Sequence, residues 1–502
     1  MFSVLKVKHK NSLISLFIIV GYLLIVFLLL KTVVEGGIPF WYDPARDLLL
    51  ALDNLSKPTL IGQPTGIPGL FYGPYWIWLL SMSLKISLDP RVATLIILTI
   101  PYITIFPLLL YLLTKTTKRH FWFIQYLLFI TGFGTYAVFL WNPQPAFIIT
   151  LFLIYLVTFL EIQKSNFIKL IHLFLIGLSV GFIINFHFSF GLGVGLGTAL
   201  YLLFSNYKKL FLIVPVLFCG FIITFLPFLA FEYRHGFNQI NSLKTAVINA
   251  AIYNTASVGQ QGMTHKEITW AFINHLNLLL HTGKTNNLIQ LFIFILFIYF
   301  VISLFYKFPN LNVEKKRALI FSIICLLGIY FMYQTSKNPI WEYHFAGVEV
   351  FYLVIVGIIV ASQRKLEVII TFSVFVIFLF QFLNEFTIKK IDPLTISSLS
   401  TKIYITDLIL NDANDTVSYS SYSPSIYTFD YDYLFKWRLL TSGKQLDTGQ
   451  NPKVKYLIIP QTNEAVFQDF INYKTPNDKY MTENIWNIPD GTTIIKRKNL
   501  ND

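Results

Sequence analysis

The sequence is short of charge and almost without cysteine, and both shortages exclude classes of function. Only 13% of its 502 residues are Asp, Glu, Lys or Arg, about half the share of an ordinary soluble domain. A chain with so little charge and 55% hydrophobic residues is not a soluble globular protein. Its two cysteines, Cys219 and Cys325, both lie inside apolar runs, which leaves no disulfide framework, no CxxC redox pair and no zinc or iron–sulfur site. Repeats of fixed period are missing, and the two halves show no duplication. The net charge of +13 falls in short clusters between apolar segments rather than in one patch, so nucleic acid is not a partner.

Long apolar runs are what the chain does have. Runs of about twenty residues, enough to cross a hydrocarbon core of ~30 Å at 1.5 Å per residue, recur from Leu13 to Leu383. Hydropathy places about eleven spans, near 12–31, 91–114, 120–140, 145–160, 169–186, 188–204, 210–231, 287–306, 318–333, 343–362 and 366–384. The short segment 72–88 decides the parity. If it does not cross, the basic connections, such as Lys115/Lys118/Arg119, Lys208/Lys209 and Lys315/Lys316/Arg317, all fall on one side, the cytoplasm by the positive-inside rule. The apolar stretch after MFSVLKVKHK is too long for a signal peptide and reads as a retained first span.

The expectation is a polytopic α-helical protein of the plasma membrane with a cytoplasmic N-terminus. Residues 1–384 form the membrane module, with exoplasmic loops at 32–90 and 232–284. Residues 385–502 form a small exoplasmic α/β domain, with strands at 453–460 and 492–498 flanking a helix at 462–473. From Glu385 onward there are 13 Lys/Arg and 14 Asp/Glu, so the basic surplus belongs wholly to the membrane part.

The densest set of polar residues is WYDPARDLLLALDNLSKPTLIGQPTGIPGLFYGPYW, 41–76. Ala45–Leu55 reads as a short amphipathic helix with Asp43 just ahead of it and Arg46 and Asp47 in its first turn. A carboxylate there feels the positive end of the helix, which favours the ionised form and hence a base; its structural reading is a helix cap. The proline- and glycine-rich stretch 58–74 must be irregular, and irregular backbone near a membrane persists only where protein packs it or where it lines a wet cavity. Other polar residues gather at the same ends of spans: Asn142, His187, Arg234 with His235, and Glu342, His344 and Glu349, the two glutamates sharing a face at i, i+7. Arg234 and His235 suit a phosphate clamp. Asp430 and Asp432 form a DxD in a strand-like context, weak evidence for metal.

FWYDPARDLLLAL followed by GIPGLFYGPYWIWLL resembles the first exoplasmic loop of bacterial GT-C glycosyltransferases, the family 39 group related to protein O-mannosyltransferases and aminoarabinose transferases. WNPQPAFII (141–149), NFHFSFGLGV (185–194) and LPFLAFEYRHGF (226–237) extend the likeness, which covers residues 10–240 well and is loose beyond 385. The resemblance implies a GT-C-like fold and an inverting transferase. Asp43 would be the base that deprotonates an acceptor hydroxyl, the donor a polyprenyl-phosphate-linked sugar, and the acceptor a glycan, lipid or protein. It implies Arg234, His235 and Arg46 near the donor phosphate. Asp47, Tyr72, Asn142, His187, Glu342, His344 and Glu349 fall to the sugar or acceptor. Pro44 stands where the family often has a second acidic residue, so a second carboxylate, and any divalent metal, must come from Asp47, Glu342 or Glu349. The competing readings are a secondary transporter, which would carry repeats and mid-membrane charges, and a non-catalytic or polymerising protein of cell-envelope polysaccharide assembly.

Overall fold

The computed structural model describes residues 2–65, 67–114, 121–205, 210–248, 262–279, 298–299, 302, 306, 308–336, 339–361, 398–423, 428–449 and 451–501. Apolar length builds the bundle. The helices are α1 (Phe2–Val34), α2 (Tyr42–Asn54), α3 (Tyr75–Leu84), α4 (Pro90–Thr94) running through a π turn into α5 (Ile100–Thr114), α6 (Phe121–Phe133), α7 (Gln144–Phe159), α8 (Asn166–Phe186), α9 (Phe188–Phe204), α10 (Leu210–Ile223), α11 (Leu226–Arg234), α12 (Asn238–Ile248), α13 (His265–Leu279), α14 (Val313–Thr335) and α15 (Val348–Ala361). Among the described residues, Pro90–Leu113, Gln144–Ile162, Asn166–Phe186 and Val313–Thr335 are long and apolar enough to cross a membrane. The expected spans at 287–306 and 366–384 lie almost wholly outside the described residues; the others coincide with helix.

Two expected elements are built differently. The span expected at 210–231 is broken into α10 and α11, which meet at 64°; Pro227 at the start of α11 lacks the N–H that would continue the ladder, and its ring displaces the preceding turn. The helix expected to carry Glu342 and Glu349 on one face is a 3₁₀ turn, Glu342–Phe345, followed by α15 from Val348. Gly347, at φ +108°, makes that break, a conformation open to glycine alone without strain. Segment 72–88 behaves as expected of a non-crossing helix: α3 has ten residues, about 15 Å at 1.5 Å each, and Tyr75 meets Phe182 of α8 edge-on with ring centroids 4.9 Å apart.

The terminal domain comprises α16 (Leu399–Asp412), α17 (Phe429–Ser442) and α18 (Glu464–Lys474) with strands β1 (Thr416–Val417), β2 (Tyr419–Ser421), β3 (Gln445–Leu446), β4 (Val454–Ile459), β5 (Tyr480–Asn487) and β6 (Thr493–Asn499). Its four-stranded sheet runs β2-β4-β6-β5, with β2 parallel to β4 and the rest antiparallel, beside a small parallel pair β1-β3. The DxD thus lies on helix α17, not on a strand. Its carboxylates part company: Asp430 pairs with Lys402, and Asp432 accepts from Tyr419 Oη at 2.8 Å.

This domain sits directly on the first loop. Tyr433 donates to the Leu88 carbonyl at 2.7 Å, the amides of Leu399 and Ser400 donate to the carbonyls of Ile38 and Gly36 at 3.0 Å each, and the Tyr42 and Phe429 rings lie 5.1 Å apart. The helix bearing Asp43 is therefore clamped between α3 and the terminal domain.

Candidate active site

Trp41 is extended and precedes the first turn of α2, so Asp43 lies inside that turn and makes no cap hydrogen bond. The cap expected of Asp43 is not there. Its carboxylate instead pairs with Arg46 one turn on, at 3.0 Å, and keeps 31% of its side chain exposed. Arg46 reaches the other way to Asp47 through Nε at 2.9 Å and Nη2 at 2.7 Å, and lies 5.3 Å from the centre of the Tyr42 ring. Asp47 is fully buried, and its second oxygen accepts the Trp76 indole N–H at 2.9 Å. The row runs from a buried carboxylate through a guanidinium to an accessible carboxylate. Arg46 occupies the place between the two acids that a cation would otherwise take.

Burial raises the Asp43 carboxyl above its ordinary value, with Arg46 offsetting part of the effect. Burial pushes Asp47 up to about 6 against the pull of Arg46. The sequence reading weighed only the helix dipole; in the fold desolvation is the larger influence. Tyr72, half-buried, feels Tyr343, Arg46, Asp43 and Asp47, and burial holds its hydroxyl protonated.

The turn at 341–347 closes the site from the opposite side. Aromatic rings connect it to α2: Trp41 to Phe139 at 4.5 Å, Phe139 to Trp141 at 5.4 Å, and Trp141 to Tyr343 at 6.1 Å. Behind them opens a cavity of about 850 Å³ whose polar lining includes Gln144, His275, Glu342 and Tyr136. Gln144 is buried and neither its oxygen nor its nitrogen has a partner among the described residues. Glu349 forms the cavity's support from below. It is fully buried, pairs with His275 Nδ1 at 2.5 Å, and accepts from Tyr136 Oη at 3.1 Å and from the Gly347 amide at 2.6 Å.

The remaining sequence candidates divide between support and surface. Asn142 is buried and donates to the Phe186 carbonyl at 2.8 Å, tying the 133–144 loop to the end of α8. His187 lies against the backbone of Tyr343 and Ala346, and burial lowers its pKa to about 3; His344 accepts from the Trp341 amide at 2.9 Å and burial lowers it to about 4. Both are neutral at pH 7, so neither supplies positive charge. Arg234 and His235 are exposed at the end of α11, apart from the cavity lining. His235 stacks on Phe231 at 4.0 Å. Their neighbour Glu232 is the buried member of the motif, capping α12 by accepting from the amides of Gln239 and Ile240. Gln239 in turn accepts from the Phe71 amide at 2.7 Å, which docks this corner on the first loop.

Gly73 in the same loop packs closely against the end of α8. A Cβ added there would lie 1.8 Å from Asn185 Oδ1. Gly73→Ala is expected to lower the melting temperature of the purified protein, at a cost of about 1–3 kcal/mol for overpacking. Asn185→Ala in the same chain should restore it by making room; equal melting of Gly73→Ala and wild type would show that the loop does not pack this tightly.

No protein-family model and no curated protein matches the sequence. Solved structures do match: ArnT from Cupriavidus metallidurans in the apo state aligns over 97% of this chain and 98% of its own, with TM-score 0.61 and 8% identity. The same protein bound to undecaprenyl phosphate aligns over 95% and 97%, with TM-score 0.58 and 8% identity. The chain has the GT-C fold. At this identity the likeness is one of fold, and it runs through the terminal domain, beyond where the sequence motifs carry.

Sequence reasoning passed over several residues of this site. His275 sits at one position of an apolar stripe on α13, Ile268, Ala271, Phe272, His275 and Leu279, where a lone histidine at helical spacing was a readable signal. Gln144 was within a quoted motif. Trp76 and Tyr343 carried no signal of their own, since only the fold brings them to Asp47 and Trp141.

Proposed function

We propose that this chain is a glycosyltransferase that moves a sugar from a polyprenyl-phosphate donor to an acceptor hydroxyl at the outer face of the plasma membrane, with Asp43 as base. The observation that carries the reading is the Asp43–Arg46–Asp47 row, an accessible carboxylate fixed by a buried ion pair, beside Trp41, whose ring contacts run through Phe139 and Trp141 to the lining of the 850 Å³ cavity. The match to ArnT, one structure of which is bound to undecaprenyl phosphate, supports a lipid-phosphate donor.

In the proposed reaction the acceptor O–H proton passes to Asp43 while the acceptor oxygen bonds the anomeric carbon. The bond from that carbon to the phosphate oxygen breaks, and the electron pair leaves with the phosphate. A single displacement of this kind inverts the anomeric centre. Raising the pKa of Asp43 by burial makes it a stronger base at neutral pH. The aromatic rings and the unpaired amide of Gln144 offer a sugar ring an apolar wall and hydrogen bonds. The leaving phosphate gathers negative charge and needs a cation; Arg234 and His235, exposed at a helix end, suit the headgroup of a donor still anchored in the bilayer.

Three measurements test this. Membranes containing the full chain should transfer label from one member of a panel of radiolabelled polyprenyl-phosphate monosaccharides, and a cysteine at position 43 should react with an impermeant thiol probe from outside; labelling only from the cytoplasmic side would sink the proposed orientation. For the clamp, Arg234→Gln should raise KM for the donor about tenfold, about 1.4 kcal/mol, and lower kcat as well, because the phosphate gathers charge in the transition state. An unchanged KM removes Arg234 from the donor site.

A further inference from the structure

The terminal domain holds a second cavity that the transfer chemistry does not use. It measures about 420 Å³ and lies at the end of β2, between the first turn of α17 and the face of α18, within the ~300–1,000 Å³ of small-ligand sites. One wall is the segment 418–423, serine at every position but its two tyrosines. Each hydroxyl offers one donor and two acceptor positions, the complement of a polyhydroxylated ligand. Ser421 lines this wall, is 9% exposed, and its buried Oγ has no hydrogen-bond partner among the described residues. A buried hydroxyl left unpaired costs about 1–3 kcal/mol.

Two further features name the ligand's chemistry. Tyr422 and Phe470 meet edge-on at 5.5 Å and present an apolar flank, suited to the C–H face of a sugar ring. Lys455 of β4 and Lys474 of α18 both line the cavity half-buried, near enough to repel each other. Neither makes an ion pair among the described residues, whereas the carboxylates of the cavity are occupied: Asp432 by Tyr419 and Thr428, Asp447 by the Gly449 amide at 2.8 Å. Asp447 acts on Lys455 at longer range and Lys474 lies over the Tyr473 ring at 4.9 Å, which leaves both ammonium groups without an ion-pair partner in contact among the described residues.

We infer that this cavity binds an acidic oligosaccharide, with sugar hydroxyls on Ser421 and its neighbours, a ring against Tyr422 and Phe470, and a carboxylate or phosphate group between Lys455 and Lys474. The inference deepens the proposed transfer by naming a class of acceptor glycan, and rests on that reading for the word acceptor alone. The domain's seat on the first loop, through Tyr433 and Phe429, sets a glycan held here on the same end of the molecule as Asp43.

The test is binding to the full chain in detergent, carrying Asp43→Asn so that the result is independent of transfer. The probes are a tetrasaccharide alternating glucuronate and N-acetylglucosamine, the neutral cellotetraose, and inorganic phosphate, measured by titration calorimetry. The acidic tetrasaccharide should bind at least tenfold tighter than cellotetraose, and added salt should weaken it. Lys455→Gln with Lys474→Gln should cost at least tenfold, as should Ser421→Val, with gel filtration unchanged. Equal affinity for the neutral sugar overturns the charge assignment, phosphate alone competing as well as the tetrasaccharide reduces the cavity to a plain anion site, and no binding of any probe overturns the inference. Because each outcome is read without catalysis, failure here leaves the transferase reading standing, and failure of transfer leaves this one standing.

Discussion

Asp43→Asn should lower sugar transfer at least about 100-fold at equal expression, within the 10²–10⁴ that a positioned base contributes. Asparagine is nearly isosteric and can still accept from Arg46 through its side-chain oxygen, so the row in α2 survives while proton acceptance is lost. A fall in activity with unchanged melting is therefore the expected pair of results. The pH profile supplies a second reading. Asp47, with its carboxyl pushed up to about 6, neutralises as pH drops through that value and loosens its hold on Arg46, so kcat/KM should fall below about pH 6. Asp47→Asn should remove that limb. Unfolding cannot imitate it: a carboxyl whose pKa is raised on folding binds more protons in the folded state, so between about 3.9 and 6 its contribution to stability grows as pH falls. Transfer by Asp43→Asn equal to wild type would end the base assignment, and a limb near pH 6 that persists in Asp47→Asn would end the second.

The architecture was legible where hydrophobic length decides it. The helices at the spans expected from residue 12 to 204, the short α3, the strands β4 and β6 and the helix α18 all follow from apolar periodicity and from proline and glycine punctuation. Two failures have separate causes. Pro227, a local signal inside an apolar run that hydropathy reads as continuous, breaks α10 from α11. Glu342 and Glu349 leave their common face because the Gly347 amide bonds Glu349 and ends the turn between them. β5 escaped notice because seven of its eight residues are wholly or partly exposed, so it shows no alternation. At the site, Asp43, Arg46 and Asp47 were visible because they adjoin one another in sequence. His275 stood out only as a lone histidine in an apolar stripe; its pairing with Glu349, 74 residues away, is beyond any spacing rule.

That long-range pair carries the other large expected effect. His275→Ala should destabilise the protein severely, by about 3–5 kcal/mol, the cost of leaving one member of a buried ion pair without the other. Glu349 has no exposure, and its remaining partners are a tyrosine hydroxyl and one amide. Two neutral donors hold a buried carboxylate less well than a cation does. Glu349→Gln should cost less, because the amide oxygen can keep the Gly347 bond and no charge is stranded. The double variant should then melt higher than His275→Ala alone, and the coupling measured by that cycle reports the pair itself. The sign with pH is fixed by His275: burial opposes its charge, but Glu349 overrides and raises its pKa. Its stabilising contribution is therefore complete below about pH 6.5, the unfolded value, and is lost as pH rises through the folded one. Melting of the wild type should decline over that window and that of His275→Gln should not. The loss should also reach catalysis, because Glu349 fixes the Gly347 turn that holds Tyr343 in the cavity lining. If His275→Ala melts within about a degree of wild type and transfers sugar normally, the cavity floor is not held by this pair, and the geometry of the 341–347 turn must rest on its aromatic contacts alone.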